Sequence, residues 1–445
     1  VTVIENPEGA DTTSGTPAAL RIHPPATHRL GPSSAAPSGC PFHLKGSVPG
    51  RSNAAEGSTL QVYGPAPVAV LPGGVQARVV VAYDLAQRLA AGSDVSRNAD
   101  HWPGFRDGSL AVDGVLRQWA GPRNALNAEG EEHTRLRTPI QAGLTPRRVR
   151  EMTPVIEAIV EEALDDLEVL AADSGIVDLV PSFALRIPQQ VITRLMGVPS
   201  SLMGQFGRAA TGLFDTSAGP GDMQRSMDTV LALLGEIVAA RRAQLGDDLV
   251  SDLIRAAGQA DDPLSDEELL AQLMLVVIAA TETTVHAIGT LIVHLLTRPA
   301  QRALVVSGEV SLDDALDESL RLQPPAASVP LRFAVRDFED AESGQMFRKG
   351  EPILIHTAAV GIDPNVHTTP GAYDVRRPTR RKHLAFGHGP HVCPGAPLAR
   401  REVTIAVSRW LNRFPKARLA ADTAQLPQPP SFIANGFTRI PVRLG

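Results

Sequence analysis

Near the start of its folded part the chain alternates in short apolar runs. Val68-Ala-Val-Leu71, the turn residues Pro72-Gly73-Gly74 and Val79-Val80-Val81 spell two strands joined as a hairpin. Beyond them the apolar period lengthens to that of a helix. Leu144-Thr-Pro-Arg-Arg-Val149 opens one helix, with Thr145 as N-cap and Pro146 at the first helical position. Helical patterns then run over 150–171, 181–196, 221–245 and 247–258. The longest begins at Ser265, which stands at capping-box spacing from Glu268, and meets no breaker stronger than Gly289 before Pro299. At ~1.5 Å per residue, its roughly 32 residues reach about 48 Å, the full width of a domain. Ser311 and Asp314 cap a shorter helix that Pro324-Pro325 ends. Strand-like runs follow at 328–335 and 352–356, then an irregular stretch to 392 and a helix over 396–412. Asn435-Gly436, a strong two-residue turn signal, predicts a closing hairpin. The expected fold class is mostly α with a smaller β portion.

Residues 1–58 break this pattern. They are rich in Pro, Ser, Thr, Ala and Gly and show no period, as expected of a flexible leader, whereas 59–445 read as one domain without internal repeats. The whole chain has 445 residues, with 42 basic against 48 acidic side chains and a net charge of −6. That balance argues against nucleic acid or an anionic membrane as partner. The longest purely apolar run, Leu273–Ala280, is far short of the roughly 18 residues a membrane span needs. Glu5, Glu8 and Asp11 occupy the place of a signal peptide's basic region. Two distant cysteines, Cys40 and Cys393, give no disulfide framework; a reducing, cytoplasmic location is expected, with Cys40 a surface thiol of the leader.

Two places carry chemistry. Glu282, Thr283 and Thr284 follow an apolar stretch in the middle of the long helix, where polar groups are expensive unless used. Cys393 lies in Phe386-Gly-His-Gly-Pro-His-Val-Cys-Pro-Gly395, directly before a helix. Glycines let backbone N–H groups approach the sulfur, and the helix N-terminus favours a thiolate, a soft axial ligand for iron.

This segment resembles the cysteine-ligand loop of the cytochrome P450 superfamily, F-G-x-G-x-H-x-C-x-G. The resemblance implies the P450 fold, a single large domain enclosing heme b (iron protoporphyrin IX) with Cys393 as iron ligand and Phe386 and Gly387 against the cofactor. Glu318-Ser-Leu-Arg321 matches the family's E-x-x-R brace through its place between the long helix and the Cys loop; Glu132 and Arg135 share the spacing without that place. His133 and Arg137, on one helix face, match H-x-x-x-R, whose cations face a heme propionate, and Arg332 and His391 fall at further propionate positions. Ala279-Ala-Thr-Glu-Thr283 is similar to A-G-x-[DE]-T, which implies that Thr283 hydrogen-bonds bound dioxygen and Glu282 belongs to the proton relay.

Two departures stand out. Ala280 replaces a glycine and narrows the oxygen groove. Pro394 removes an N–H from beside the sulfur, so a more electron-rich thiolate and a lower heme potential are expected. The resemblance also places Trp102, Phe105, Ala279, Ala280, Val329 and Ile433 around a small hydrophobic substrate. It is strongest to an actinobacterial branch similar to enzymes of secondary metabolism and steroid hydroxylation.

The chain has no flavin or dinucleotide fingerprint, so electrons from NAD(P)H are expected through ferredoxin reductase and ferredoxin. Arg376, Arg377, Arg380, Arg381 and Lys382 form a basic patch suited to docking an acidic ferredoxin. The expected activity is that of a monooxygenase hydroxylating a bulky hydrophobic metabolite with dioxygen. Two alternatives use the same scaffold: oxidative coupling of aromatic molecules such as phenols or tryptophan-containing cyclic dipeptides, and a non-enzymatic heme sensor or carrier.

Overall fold

A computed structural model of the chain describes residues 42–44, 46, 52–109, 115–212, 220–259 and 262–445. The helix starts read from the sequence are made by the expected side chains. Thr145 Oγ1 accepts from the Arg148 N–H at 3.2 Å and opens the helix Pro146–Ser174. Ser265 and Glu268 form a complete capping box, with each side chain accepting from the other's backbone N–H at 3.0–3.1 Å. The long helix then runs unbroken over Asp266–Leu296. Arg135 grips the same Glu268 carboxylate with two guanidinium N–H groups and holds its pKa down at about 2. Arg135 thus pins the helix Gly130–Gly143 to the start of the long one, while Glu132 pairs with Arg123, so the E-x-x-R spacing of the two is coincidental.

The long helix is the axis of the main core. Leu273, Val277, Ile288, Leu291, Ile292 and Leu295 are buried in one hydrophobic cluster with residues such as Ile156, Phe183 and Trp410. Among the described residues, this helix alone is long and apolar enough to cross a membrane by length and composition. A count of purely apolar runs misses that, because Thr281 to Thr284 interrupt the run without ending the helix. Within the protein, 72% of its most apolar window is buried.

A six-stranded sheet lies to one side, in the order Phe42–His43, Val68–Leu71, Val75–Val80, Pro352–Ile355, Val329–Ala334, Val95–Ser96. The hairpin of Val68–Leu71 and Val75–Val80 is antiparallel as expected. The two edge pairs and the helices Asn53–Gln61, Tyr83–Ala91, Ser200–Gly212 and Pro299–Val306 are not evident in the apolar pattern.

Two expectations are corrected. The leader cannot extend to residue 58: Phe42–His43 pairs with Ala69–Val70, and the helix Asn53–Gln61 buries Asn53, Glu56, Gly57 and Leu60. Composition misses this because the helix buries mostly polar or small residues, and Glu56 accepts from the Gly46 N–H at 3.0 Å. Cys40 and the rest of the expected leader lie outside the described residues. Asn435-Gly436 makes no hairpin; the last strand, Pro441–Arg443, pairs instead with Arg418–Leu419 and Val177–Asp178. Asn435 is buried and spends its amide on the fold, donating to the Pro324 carbonyl at 2.8 Å and accepting from Asn53 at 3.3 Å.

The brace helix, Leu312–Leu322, holds a fully buried ion network. Glu318 receives two N–H groups of Arg321 at 2.7 and 2.8 Å and the Nε of Arg377 at 3.0 Å. Arg321 donates onward to the carbonyls of Gly361, Pro370 and Ala372, and Arg377 to those of Thr369 and Ala372. Two cations on one carboxylate, with their remaining donors on backbone carbonyls, tie the irregular stretch 361–377 to the helix. Breaking such a buried set costs about 3–5 kcal/mol. Arg377→Ala is therefore expected to destabilise the protein by about that amount, while Arg376→Ala, on a pair exposed on both sides, changes stability by about 1 kcal/mol or less. Urea unfolding followed by circular dichroism measures both; equal effects would contradict the network's role.

Candidate functional site

Between the long helix, the Cys loop and the sheet lies a cavity whose empty space, including its opening to solvent, is about 1710 Å³.

Cys393 lines the cavity from a tightly folded loop. Its N–H donates to the Phe386 carbonyl at 2.8 Å, and Arg137 donates to the carbonyl of Val392. Gly389 adopts φ +68°, and a β-carbon there would come within 2.7 Å of the Ala90 carbonyl, so the loop can press against the helix Tyr83–Ala91 only with glycine. Burial pushes the Cys393 thiol pKa up; the N–H groups of Gly395 and Ala396 and the charge of Arg137 pull it the other way. The amides that follow Pro394 thus do the donating that the proline cannot.

At one end of the cavity the expected cationic side chains come together. Arg137, Arg332 and His391 line it, and His133 stacks on His391 with ring centroids 4.1 Å apart, one layer behind the wall. Both histidines are displaced downward by burial, His391 to about 4 in spite of its 3.1 Å contact with Glu129. Arg97 is a site residue the sequence reading missed. It lines the same end, is buried, and its guanidinium pKa is driven well down by burial and by Arg332. Burial lowers Arg332 itself to about 10. The signal was weak: a single arginine in Ser96-Arg97-Asn98, after a two-residue strand.

The charges here do not balance. Arg97 Nε and Nη1, Arg332 Nη1 and His133 Nε2 are buried without a hydrogen-bond partner. Glu129 accepts from the Arg97 backbone and His391, and burial pushes the buried Glu402 up to about 8, so it is uncharged at neutral pH. Buried guanidinium groups demand an anion. A ligand that brings carboxylates to this end and a metal to the sulfur satisfies both, so the residues present fit heme with its two propionates.

The long helix supplies the opposite kind of wall. Ala279, Ala280, Thr283, Thr284 and Ala287 face the cavity, joined by Val329, Phe386 and Gly387. The Thr283 hydroxyl donates to the Ala279 carbonyl at 2.8 Å. Glu282 does not line the cavity; it points to His286, 3.8 Å away. Three expected pocket residues also lie elsewhere. Trp102 is buried against Phe333, 5.3 Å between centroids, and Phe105 lies under the Arg117 guanidinium at 4.8 Å. Ile433 borders a separate small apolar cavity with Leu116, Trp119 and Phe432. Their apolar character serves the sheet-side core, which the sequence alone could not tell from a pocket wall.

The basic patch is also not what its charges suggested. Arg376 pairs with Glu309, Arg377 is buried on Glu318, and Arg380 and Arg381 sit on Asp314 and Asp317. Four of the five cations thus have carboxylate partners of and just before the brace helix, but Arg321 and Arg400 share those carboxylates, and Arg376 and Arg381 stay largely exposed.

The Cytochrome P450 family model matches residues 311–441. The 2-hydroxy-5-methyl-1-naphthoate 7-hydroxylase of Streptomyces carzinostaticus is 33% identical over 407 residues, spanning 91% of this chain and 98% of that enzyme. Among solved structures, CYP154A1 of Streptomyces coelicolor A3(2) is 40% identical with a TM-score of 0.81, covering 91% of this chain and 100% of that one. CYP154C4 of Streptomyces sp. ATCC 11861, described as testerone bound, is 35% identical with a TM-score of 0.83 over 91% of this chain and 98% of that one.

The unpaired cations give a prediction with two signs. Arg97→Leu relieves repulsion in the heme-free protein and raises its urea midpoint. The same change weakens heme retention by roughly 10–100-fold, the equivalent of about 1.5–3 kcal/mol for a hydrogen bond to a charged group. Rates of heme transfer to apomyoglobin give the second quantity; a variant that retains heme as well as the parent would remove Arg97 from the site.

Proposed function

Because the chain belongs to the cytochrome P450 family, we propose that it is a heme-thiolate monooxygenase that hydroxylates a bulky, neutral, hydrophobic metabolite. The observation that carries this reading is the sharing of one cavity by Cys393, the cluster of unpaired arginines and the Thr283 stretch of the long helix. When bound, a heme iron held by a thiolate supplies the activation of dioxygen. Cys393 is the iron ligand, kept in place by the Phe386 carbonyl and the N–H groups of Gly395 and Ala396. Arg97, Arg137, Arg332 and His391 hold the propionates, with His133 supporting His391 from behind. Thr283 presents its hydroxyl to the reacting side of the cavity, and Glu282 is the acid that brings protons to it.

Substrate class follows from the wall. Ala125, Leu126, Ile192, Leu195, Val276 and Val329 are apolar, and the charged side chains with unpaired donors gather at the propionate end. A neutral polycyclic guest fits such a surface better than an ionised one, since an unpaired charge would be desolvated without return. Electrons come from NAD(P)H through a cytoplasmic ferredoxin reductase and ferredoxin.

The reduced, CO-bound protein is expected to show the red-shifted Soret band of a thiolate-ligated heme, lost in Cys393→Ser. Turnover under ¹⁸O₂ is expected to add one labelled oxygen to the product. A product lighter by two hydrogens, without label, would mean oxidative coupling instead, and no NAD(P)H consumption with any guest would favour a sensor or carrier.

Pro394 lines the cavity next to the sulfur. Pro394→Leu restores a backbone N–H there, which draws charge from the thiolate. Redox titration is expected to show a higher heme potential in the variant; an equal or lower one would mean that the amides of Gly395 and Ala396 already saturate the sulfur.

A further inference from the structure

The long helix carries a second polar line that the cavity does not use. Glu282, His286 and Thr290 follow at intervals of four and so share one helix face. None of them lines the cavity. His286 is 7% exposed, yet neither ring nitrogen has a hydrogen-bond partner, and neither does Thr290 Oγ1. A buried polar group left unpaired costs about 1–3 kcal/mol, so an apolar residue at 286 would serve packing better.

The imidazole is also fixed in direction. A β-carbon on Gly436 would meet His286 Nδ1 at 2.3 Å and Cγ at 2.5 Å, so the backbone of the C-terminal segment lies directly on the ring. The other nitrogen, Nε2, is turned to Glu282 Oε1 at 3.8 Å. That distance allows a charge contact but exceeds a hydrogen bond. The Glu282 side chain keeps 37% of its surface exposed, so solvent reaches it.

We propose that His286 is the positioning residue for Glu282, holding its carboxylate on the outer face of the long helix between proton deliveries. This rests on the monooxygenase reading above. Gly436 presses the ring into place, and Nε2–H faces the carboxylate. A proton from solvent neutralises Glu282 and removes its attraction to His286. The acid then turns toward Thr283, gives its proton to the Thr283 hydroxyl oxygen as that hydroxyl passes its own proton into the cavity, and returns as the anion. Over the cycle one proton moves from solvent to the cavity, and His286 is unchanged.

The test compares the wild type, Glu282→Gln, His286→Leu, His286→Asn and the Glu282→Gln/His286→Leu double variant as holoenzymes with ferredoxin and reductase. The readout is product formed per NAD(P)H consumed. Glu282→Gln and His286→Leu are each expected to lower this coupling about tenfold, less than the roughly 10²–10⁴-fold that general acid catalysis supplies. The double variant falls no further than the worse single one, and His286→Asn, which keeps an N–H donor, recovers part of the loss. Independently of turnover, the ¹⁵N ring resonances of His286 in the resting protein are expected to move in Glu282→Gln. Gly436→Ala, which displaces the ring, is expected to move them too and to lower coupling at full heme content.

Unchanged coupling in His286→Leu with full heme content, losses that multiply in the double variant, or resonances that stay fixed would each overturn the proposal. If the wild type itself forms no oxygenated product, the monooxygenase reading fails, and the resonance shift alone decides whether the pair exists.

Discussion

One buried carboxylate organises the half of the molecule that carries the chemistry. Glu318 has no exposed surface and accepts from Arg321, Arg377 and the backbone N–H of Asp374. Such a group is tolerable in a core only when every charge has its partner. The guanidinium N–H groups left over can be satisfied only by carbonyls, and those lie in the irregular stretch 361–377, which has little regular secondary structure to order it. The network therefore does for this stretch what a sheet would do elsewhere. The Cys loop begins nine residues on, at Phe386, so the network anchors the chain that leads into it.

The Cys loop is then held from two further sides. The helix Tyr83–Ala91 receives Gly389, and Arg137 of the helix Gly130–Gly143 reaches the Val392 carbonyl. Three independent elements converge on a loop of ten residues, and this rigidity is what a metal ligand requires. The same convergence concentrates cationic groups at one end of the cavity, with Glu129 the charged acid among them. Burial raises the Glu129 carboxyl pKa, but the hydrogen bond and charge of His391 and the N–H of Arg97 outweigh it and leave the group below its ordinary value. It is an anion there, but one carboxylate cannot offset Arg97, Arg137 and Arg332. The protein is built with a deficit of negative charge that its cofactor completes.

Much of this was legible from residues. Thr145, Ser265 and Ser311 begin helices where capping chemistry says they should, and the motif around Cys393 pointed to the cavity. What escaped falls into two physical kinds. Polar groups used inside the fold look like turn or surface signals: Asn435 spends its amide on Pro324, Glu56 is buried, and Arg377 leaves the apparent basic patch for Glu318. Apolar groups near a pocket look like its wall: Trp102 and Ile433 pack beside the sheet instead. Both errors concern partners far apart in sequence, which periodicity does not encode. Arg97 belongs with them, since only the fold brings it to Arg332.

The long helix shows how far apart two adjacent residues can be in function. A step of one residue turns an α-helix by about 100°, so Glu282 and Thr283, neighbours in the motif, cannot face the same space. Thr283 belongs to the cavity wall with Ala279, Ala280 and Ala287, while Glu282 belongs to the face of His286 and Thr290. A helix that must bury most of its surface has little room for polar residues, yet this one places them on two faces at the same height. In the proton relay proposed above, that arrangement would separate where a proton is taken up from where it is used. A carboxylate standing permanently in the cavity would meet apolar walls and lose its hydration. On the outer face its side chain keeps 37% of its surface open to water.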